Sequence, residues 1–190
     1  MQRATNIYFE QSPNPNSLKF VINYFIVPEG NSYDYPDPQT TGNAPLATEL
    51  FKFDFVKRVF FMNNFVTITK DPELDWMEIR EELKKFIKDY LDADKPVLLE
   101  DEDHHQPEIS EEESELDLKI RVLLEEYVKP AVEQDGGAIE YHSFKDGVVK
   151  VLLQGSCSGC PSSMLTLKAG IENLLKTMVP EVKSVEAEGV

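Results

Sequence analysis

The sequence predicts an α+β protein built from two small α+β domains joined by an acidic flexible linker. Three observations carry this expectation: β-type apolar runs followed by a helical stripe in the first half, an acidic stretch near the middle, and alternating helical and strand patterns in the second half. A length of 190 residues and an apolar content of 41% suit a globular protein divided into two modest cores. The expected bounds are 11–91 for the first domain, 92–115 for the linker and 116–190 for the second domain.

In the first domain, the turn-forming SPNPN at 12–16 precedes the strand-like LKFVINYFIV at 18–27, after which a long polar turn is expected. Pro45-Leu46-Ala47 opens a short helix reaching Phe51. The runs at 55–61 and 65–70 flank Met62-Asn63-Asn64 as the arms of a hairpin. Asp75 is an N-cap for a helix from Trp76 to about Tyr90. Its stripe of Trp76, Ile79, Leu83, Phe86, Ile87 and Tyr90 recurs every three or four residues and should cover one face of the sheet. This half shows no nucleophile paired with a base, no phosphate loop and no ligand cluster.

Between Asp92 and Glu115 acids dominate, two prolines interrupt and apolar periodicity is absent. Like charges extend such a segment, and it buries too little apolar surface to offset its ordering entropy. His104 and His105 lie within it and read as solvated side chains. The formal net charge of −16 disfavours nucleic acid and anionic membranes as partners, because phosphate neutralisation needs clustered Lys and Arg. No apolar run approaches the roughly 20 residues of a membrane span. The first residues, with one Arg and nearby Glu10, match neither a secretory signal nor an Arg-rich presequence, so the expected location is cytoplasmic.

In the second domain, Leu116, Ile120, Leu123, Leu124 and Tyr127 share one helical face, and Pro130 interrupts or closely follows that helix. Asp135-Gly136-Gly137 lets the chain reverse through positive φ. Two strands, near 138–144 and 148–154, join through the tight Lys145-Asp146-Gly147 turn, with His142 expected at the surface. A helix from Pro161 carries Met164, Leu167, Ile171, Leu174, Leu175 and Met178 on one face and stops before Pro180, ahead of a short strand near 182–185.

Between the second strand and this last helix lies Gly155-Ser156-Cys157-Ser158-Gly159-Cys160-Pro161, which holds both cysteines of the chain. Pro161 suits a helix's first turn, where its missing N–H costs nothing, so Cys160 falls at or just before the helix start. Unpaired amides and the positive dipole end favour the thiolate, the form that binds metal and attacks disulfides. Gly155 and Gly159 let the backbone curl around a bulky anionic group, and Ser156 and Ser158 add small hydrogen-bonding side chains. Iron-sulfur clusters usually take four cysteine ligands, whereas one chain supplies two. A two-fold homodimer with its C-x-x-C motifs facing would supply four. Two other chemistries fit the motif: a thiol-disulfide oxidoreductase, which also sets C-x-x-C between strand and helix, and a tetrahedral zinc site across a dimer. The oxidoreductase is disfavoured because no Trp precedes Cys157, the inner pair is Ser-Gly, and little chain follows Cys160.

The run from Cys157 to Ser163, followed by Thr166-Leu167-Lys168 and Gly170-Ile171-Glu172, resembles the NifU-type C-terminal domain of Nfu proteins. The lead-in from Lys129 to Gly137 resembles that domain too. SPNPNSLKF at 12–20, PLATELF at 45–51, VFFMNNFVTITK at 59–70 and Trp76 resemble the Nfu N-terminal domain. The resemblance implies a non-enzymatic iron-sulfur scaffold or carrier in which Cys157 and Cys160 of two subunits bridge a labile cluster, generally 4Fe-4S, that passes to apo-proteins. It further implies that the N-terminal domain contacts client or cluster-assembly proteins. Ala138 departs from the polar residue expected after Gly136-Gly137, and the linker is unusually acidic.

Overall fold

The protein is described by a computed structural model that covers residues 4–99, 114–158 and 161–189, without the side chains of 161–163. It forms two compact α+β units. His104, His105 and most of the acidic linker lie outside the described residues.

The first unit is a five-stranded antiparallel sheet, β1 (Ile7–Gln11), β2 (Ser17–Ile22), β3 (Ser32–Tyr35), β4 (Val56–Met62) and β5 (Phe65–Lys70), in the order β1-β2-β5-β4-β3. The β4–β5 hairpin turns at Asn63, whose φ of 48° an Asn adopts more readily than a β-branched residue. Helices α1 (Pro45–Leu50) and α2 (Trp76–Asp92) supply Leu46, Ala47, Leu50, Leu83, Ile87 and Tyr90 to a core shared with Phe20, Ile22, Val59, Phe61, Val66 and Ile68. The alternate residues Val21, Phe60, Met62 and Phe65 are buried as well, which is why these strands read as nearly continuous apolar runs. Asp75 caps α2 as expected, its carboxylate accepting from Met77 N at 2.8 Å.

Four features of this unit differ from expectation. β2 ends at Ile22 rather than continuing to 27, because Ile26 and Val27 donate their N–H groups to Asn63 O at the hairpin turn and so leave the sheet. β1 lies mostly ahead of the expected domain start and pairs antiparallel with β2. β3 falls within the expected polar turn, where Tyr33 and Tyr35 point into the core and Asp34 receives both arms of the Arg58 guanidinium, Nε at 2.8 Å. The chain also stays on this unit beyond residue 92: the Tyr90 hydroxyl donates to Pro96 O, Val97 is buried, and Leu99 N donates to Asn43 O, each hydrogen bond at 2.8 Å.

The second unit runs α3 (Glu115–Leu123), a wide π turn (Leu124–Val128), α4 (Lys129–Gln134), β6 (Gly137–Lys145), β7 (Val148–Gly155), α5 (Pro161–Met178) and β8 (Ser184–Gly189). β6 and β7 form an antiparallel hairpin whose turn residues Asp146 and Gly147 both take positive φ, 54° and 86°. β8 then pairs parallel with β7, with α5 as the crossover. The expected stripe of α3 holds through Leu124 but not at Tyr127, which is 53% exposed. In the π turn Lys129 N bonds to Leu124 O, five residues back, so the helical face advances by one residue and Val128 and Val132 are buried instead. His142 is exposed, as expected, at a bulge between Tyr141 and Ser143.

α3 begins with a capping box. Asp117 N donates to Ser114 Oγ, and the Asp117 carboxylate accepts from Ser114 N and also from the Tyr141 hydroxyl on β6. Burial alone would raise this carboxyl, but the hydrogen bonds from Ser114 and Tyr141 outweigh it and hold Asp117 below the ordinary carboxylate range. A folded value below the unfolded one contributes stability that is complete above the unfolded value and is lost as pH falls through the folded one. Acidification below the ordinary value of 3.8 is therefore expected to loosen the α3–β6 junction. Thermal melts across this range would check it: Asp117→Asn should weaken the acid dependence, and an unchanged profile would show that other groups dominate.

Candidate functional site

The motif occupies the turn from β7 into α5. β7 ends at Gly155, φ +66°, which faces Gly137, the first residue of β6. Gly136 ahead of it has φ +89°, so glycine is required on both sides of this last rung. Hydrogen bonds among the described residues help to hold the turn that follows. Ser156 N donates to Gly136 O at 3.3 Å, Ser156 Oγ donates to Asp135 O at 2.7 Å, and Ser158 N donates back to Gly155 O at 3.1 Å. β8 also approaches, since a Cβ on Gly189 would lie 2.7 Å from Ser158 Oγ.

Within this turn Cys157 is only 8% exposed and belongs to the apolar core formed by Ile139, Val149, Val151, Leu153 and Ile171. Its Sγ lies 4.0 Å from Ser156 Oγ. Cys160 and Gly159, the other two motif positions singled out in the sequence, lie outside the described residues. α5 starts at Pro161, the residue expected to open it. Among the described residues, no three His, Cys, Asp or Glu side chains gather where a metal ion would sit. No described helix is long and apolar enough to cross a membrane.

The sequence reading did not anticipate how closely Gly137 approaches Cys157. A Cβ built on Gly137 would stand 2.6 Å from Gln154 O, 3.0 Å from Cys157 Sγ and 3.3 Å from Cys157 N. Asp135-Gly136-Gly137 read as a chain reversal alone. The neighbouring pairing of Gly137 with Gly155, a contact between residues distant in sequence, is what brings it beside the thiol.

A sheet-and-helix unit followed by a second one with a cysteine turn between strand and crossover helix defines a two-domain α+β protein with a thiol site in its C-terminal domain. Residues 7–94 match the family model described as scaffold protein Nfu/NifU N terminal, and residues 120–186 match the NifU-like domain. The chain belongs to the Nfu family.

Two relatives named "NFU1 iron-sulfur cluster scaffold homolog, mitochondrial", from Drosophila erecta and Drosophila yakuba, are each 41% identical to it over 185 residues. The alignment covers 97% of this chain and 65% of each relative, so the chain spans about two thirds of their length. Among solved structures, a NifU-like protein from Saccharomyces cerevisiae is 24% identical, covering 53% of this chain and 89% of its own, at a TM-score of 0.47.

These relatives overturn the cytoplasmic expectation, since each is named a mitochondrial protein. That expectation rested on the first residues alone, and a targeting address is a short segment separate from the folded domains. The oxidoreductase alternative finds no support in either the fold or the relatives.

Proposed function

We propose that this protein is a mitochondrial iron-sulfur cluster scaffold and carrier rather than an enzyme, with the cluster as its cargo. Two copies share a 4Fe-4S cluster through Cys157 and Cys160 of each, and the assembled cluster passes to apo-proteins. The observation that carries this reading is the cysteine turn between β7 and α5, set in a domain that matches the NifU-like family model and offering two thiols where a cluster takes four. The names of the relatives support the same cargo and the same compartment. The N-terminal domain serves as the surface for client or cluster-assembly proteins.

The face of α5 next to the motif supports a second copy as the source of the other two ligands. Leu165 is 69% exposed, and Thr166, Ala169 and Gly170 are exposed beside it, with open space around Gly170. Two copies of a chain with a net charge of −16 repel each other, and an uncharged face with small residues is where they approach at least cost. Leu165→Asp is therefore expected to weaken cluster-dependent dimerisation by about tenfold or more, each copy placing a carboxylate against the other. Sedimentation at graded concentrations would read this out, and an unchanged dimer would place the contact elsewhere.

Anaerobic reconstitution with iron and sulfide tests the main reading. The expected product absorbs in the charge-transfer range, holds about four irons and four sulfides per two chains, and migrates as a dimer. Absence of that absorption would remove the cluster-binding proposal. Failure to activate an apo-acceptor would reduce the protein to a binder.

A further inference from the structure

Cys157 is 8% exposed and lies in the C-terminal core, whereas a sulfur that joins a cluster shared with a second copy has to face outward. Among the described residues, Gly137 and Ser156 help to set its position. Gly137 lacks the side chain whose first carbon would stand 3.0 Å from Sγ and 3.3 Å from Cys157 N, so the thiol fits against bare backbone. Ser156, immediately before it, ties the turn to the α4–β6 junction through Oγ to Asp135 O at 2.7 Å and N to Gly136 O at 3.3 Å.

We propose that this arrangement is a latch: Gly137 and Ser156 hold Cys157 retracted in the cluster-free chain, and loading begins when the 156–158 turn swings away from β6 about Gly155. The inference rests on the reading of Cys157 as a cluster ligand. Gly155, at φ +66°, sits where the strand gives way to the turn, and glycine tolerates the backbone change that a hinge demands. Retraction has a chemical benefit. Thiol oxidation follows exposure and thiolate character, so a sheltered sulfur outlasts the interval in which no cluster protects it. Gly137 and Ser156 are thus positioning residues, acting through Cys157 rather than touching cargo.

The test uses the full apo chain carrying Cys160→Ser, which leaves Cys157 as its single thiol. Its alkylation by iodoacetamide is followed by intact mass, natively and in denaturant. The native rate is expected to be at least about tenfold below the denatured one, because reaction waits on local opening. Adding Gly137→Ala should raise the native rate about tenfold where the variant still melts cooperatively, since the new carbon crowds Sγ at 3.0 Å as well as the Gln154 carbonyl oxygen at 2.6 Å. Ser156→Ala, which removes the Asp135 tether without adding bulk, should raise it by a smaller factor and serves if the alanine at 137 prevents folding. Gly42→Ala, with open space around it, should change nothing.

Equal native and denatured rates would overturn retraction. A slow native rate that no folded variant accelerates would overturn the latch. Because only apo protein is measured, failure to assemble a cluster would sink the carrier reading and leave this result standing.

Discussion

Substituting Ser for Cys157 or Cys160 is expected to bring bound iron and sulfide to background after reconstitution while leaving the apo fold in place. The effect is large because a shared site counts each substitution twice: one change per chain removes two of four ligands. A serine hydroxyl, which does not ionise near neutral pH, is a far weaker ligand for cluster iron than a thiolate. Cys157 also fills part of the core, so its replacement by the more polar Ser should destabilise the C-terminal domain by about 1–3 kcal/mol. Cys157→Ala separates the two effects, keeping the site apolar while removing the ligand. Iron analysis beside far-UV circular dichroism decides the matter: a folded variant that still develops the cluster chromophore would show that the ligands lie elsewhere, and an unfolded one would assign the cysteine a structural role.

Phe20→Ala is expected to unfold the N-terminal domain selectively. Phe20 is fully buried on β2, with ring contacts to Phe9 at 5.4 Å and Trp76 at 6.4 Å. Removing a ring from such a site costs about 3–5 kcal/mol through lost burial and the cavity left behind. That is a large fraction of the roughly 5–15 kcal/mol that usually holds a domain together. The two cores draw on separate stretches of chain, one ending at Val97 and the other beginning at Ile120. The C-terminal transition and cluster assembly should therefore survive. Calorimetry of the parent and variant would test this, and loss of both transitions together would show that the domains fold as one cooperative unit.

The α+β architecture was legible in the sequence wherever periodicity was strong. The α2 stripe from Ile79 to Tyr90, the Asp75 cap and the β4–β5 and β6–β7 hairpins all stand where apolar spacing and turn chemistry placed them. β1 and β3 escaped because they are edge strands of five and four residues. Such strands are held mainly by pairing with an inner neighbour, and SYDY carries Asp34, whose partner Arg58 is distant in sequence.

At the site, the cysteine pair and the helix start at Pro161 were legible as a motif, because local chemistry dictates them. The contact of Gly137 with Cys157 was not, because it depends on the rung formed by Gly137 and Gly155 and on the close approach of two strands. Compartment is a different matter, since the packing of folded domains carries no record of where a protein resides.

The π turn at 124–128 carries a consequence for chain length. Were Tyr127 deleted, the following residues would each move up one place, and the helix could close toward ordinary pitch at a cost of about 3 kcal/mol for holding Pro130 inside it. Val128 would then fall four positions after Leu123 and Val132 seven after Leu124, which are the spacings that keep a side chain on one face. Loss of a single residue here should leave both apolar faces aligned, whereas the same loss in α2 would turn everything after it away from its core. The wide turn is a slack link, the place in the C-terminal domain where a deletion is absorbed by the backbone rather than passed on to the packing.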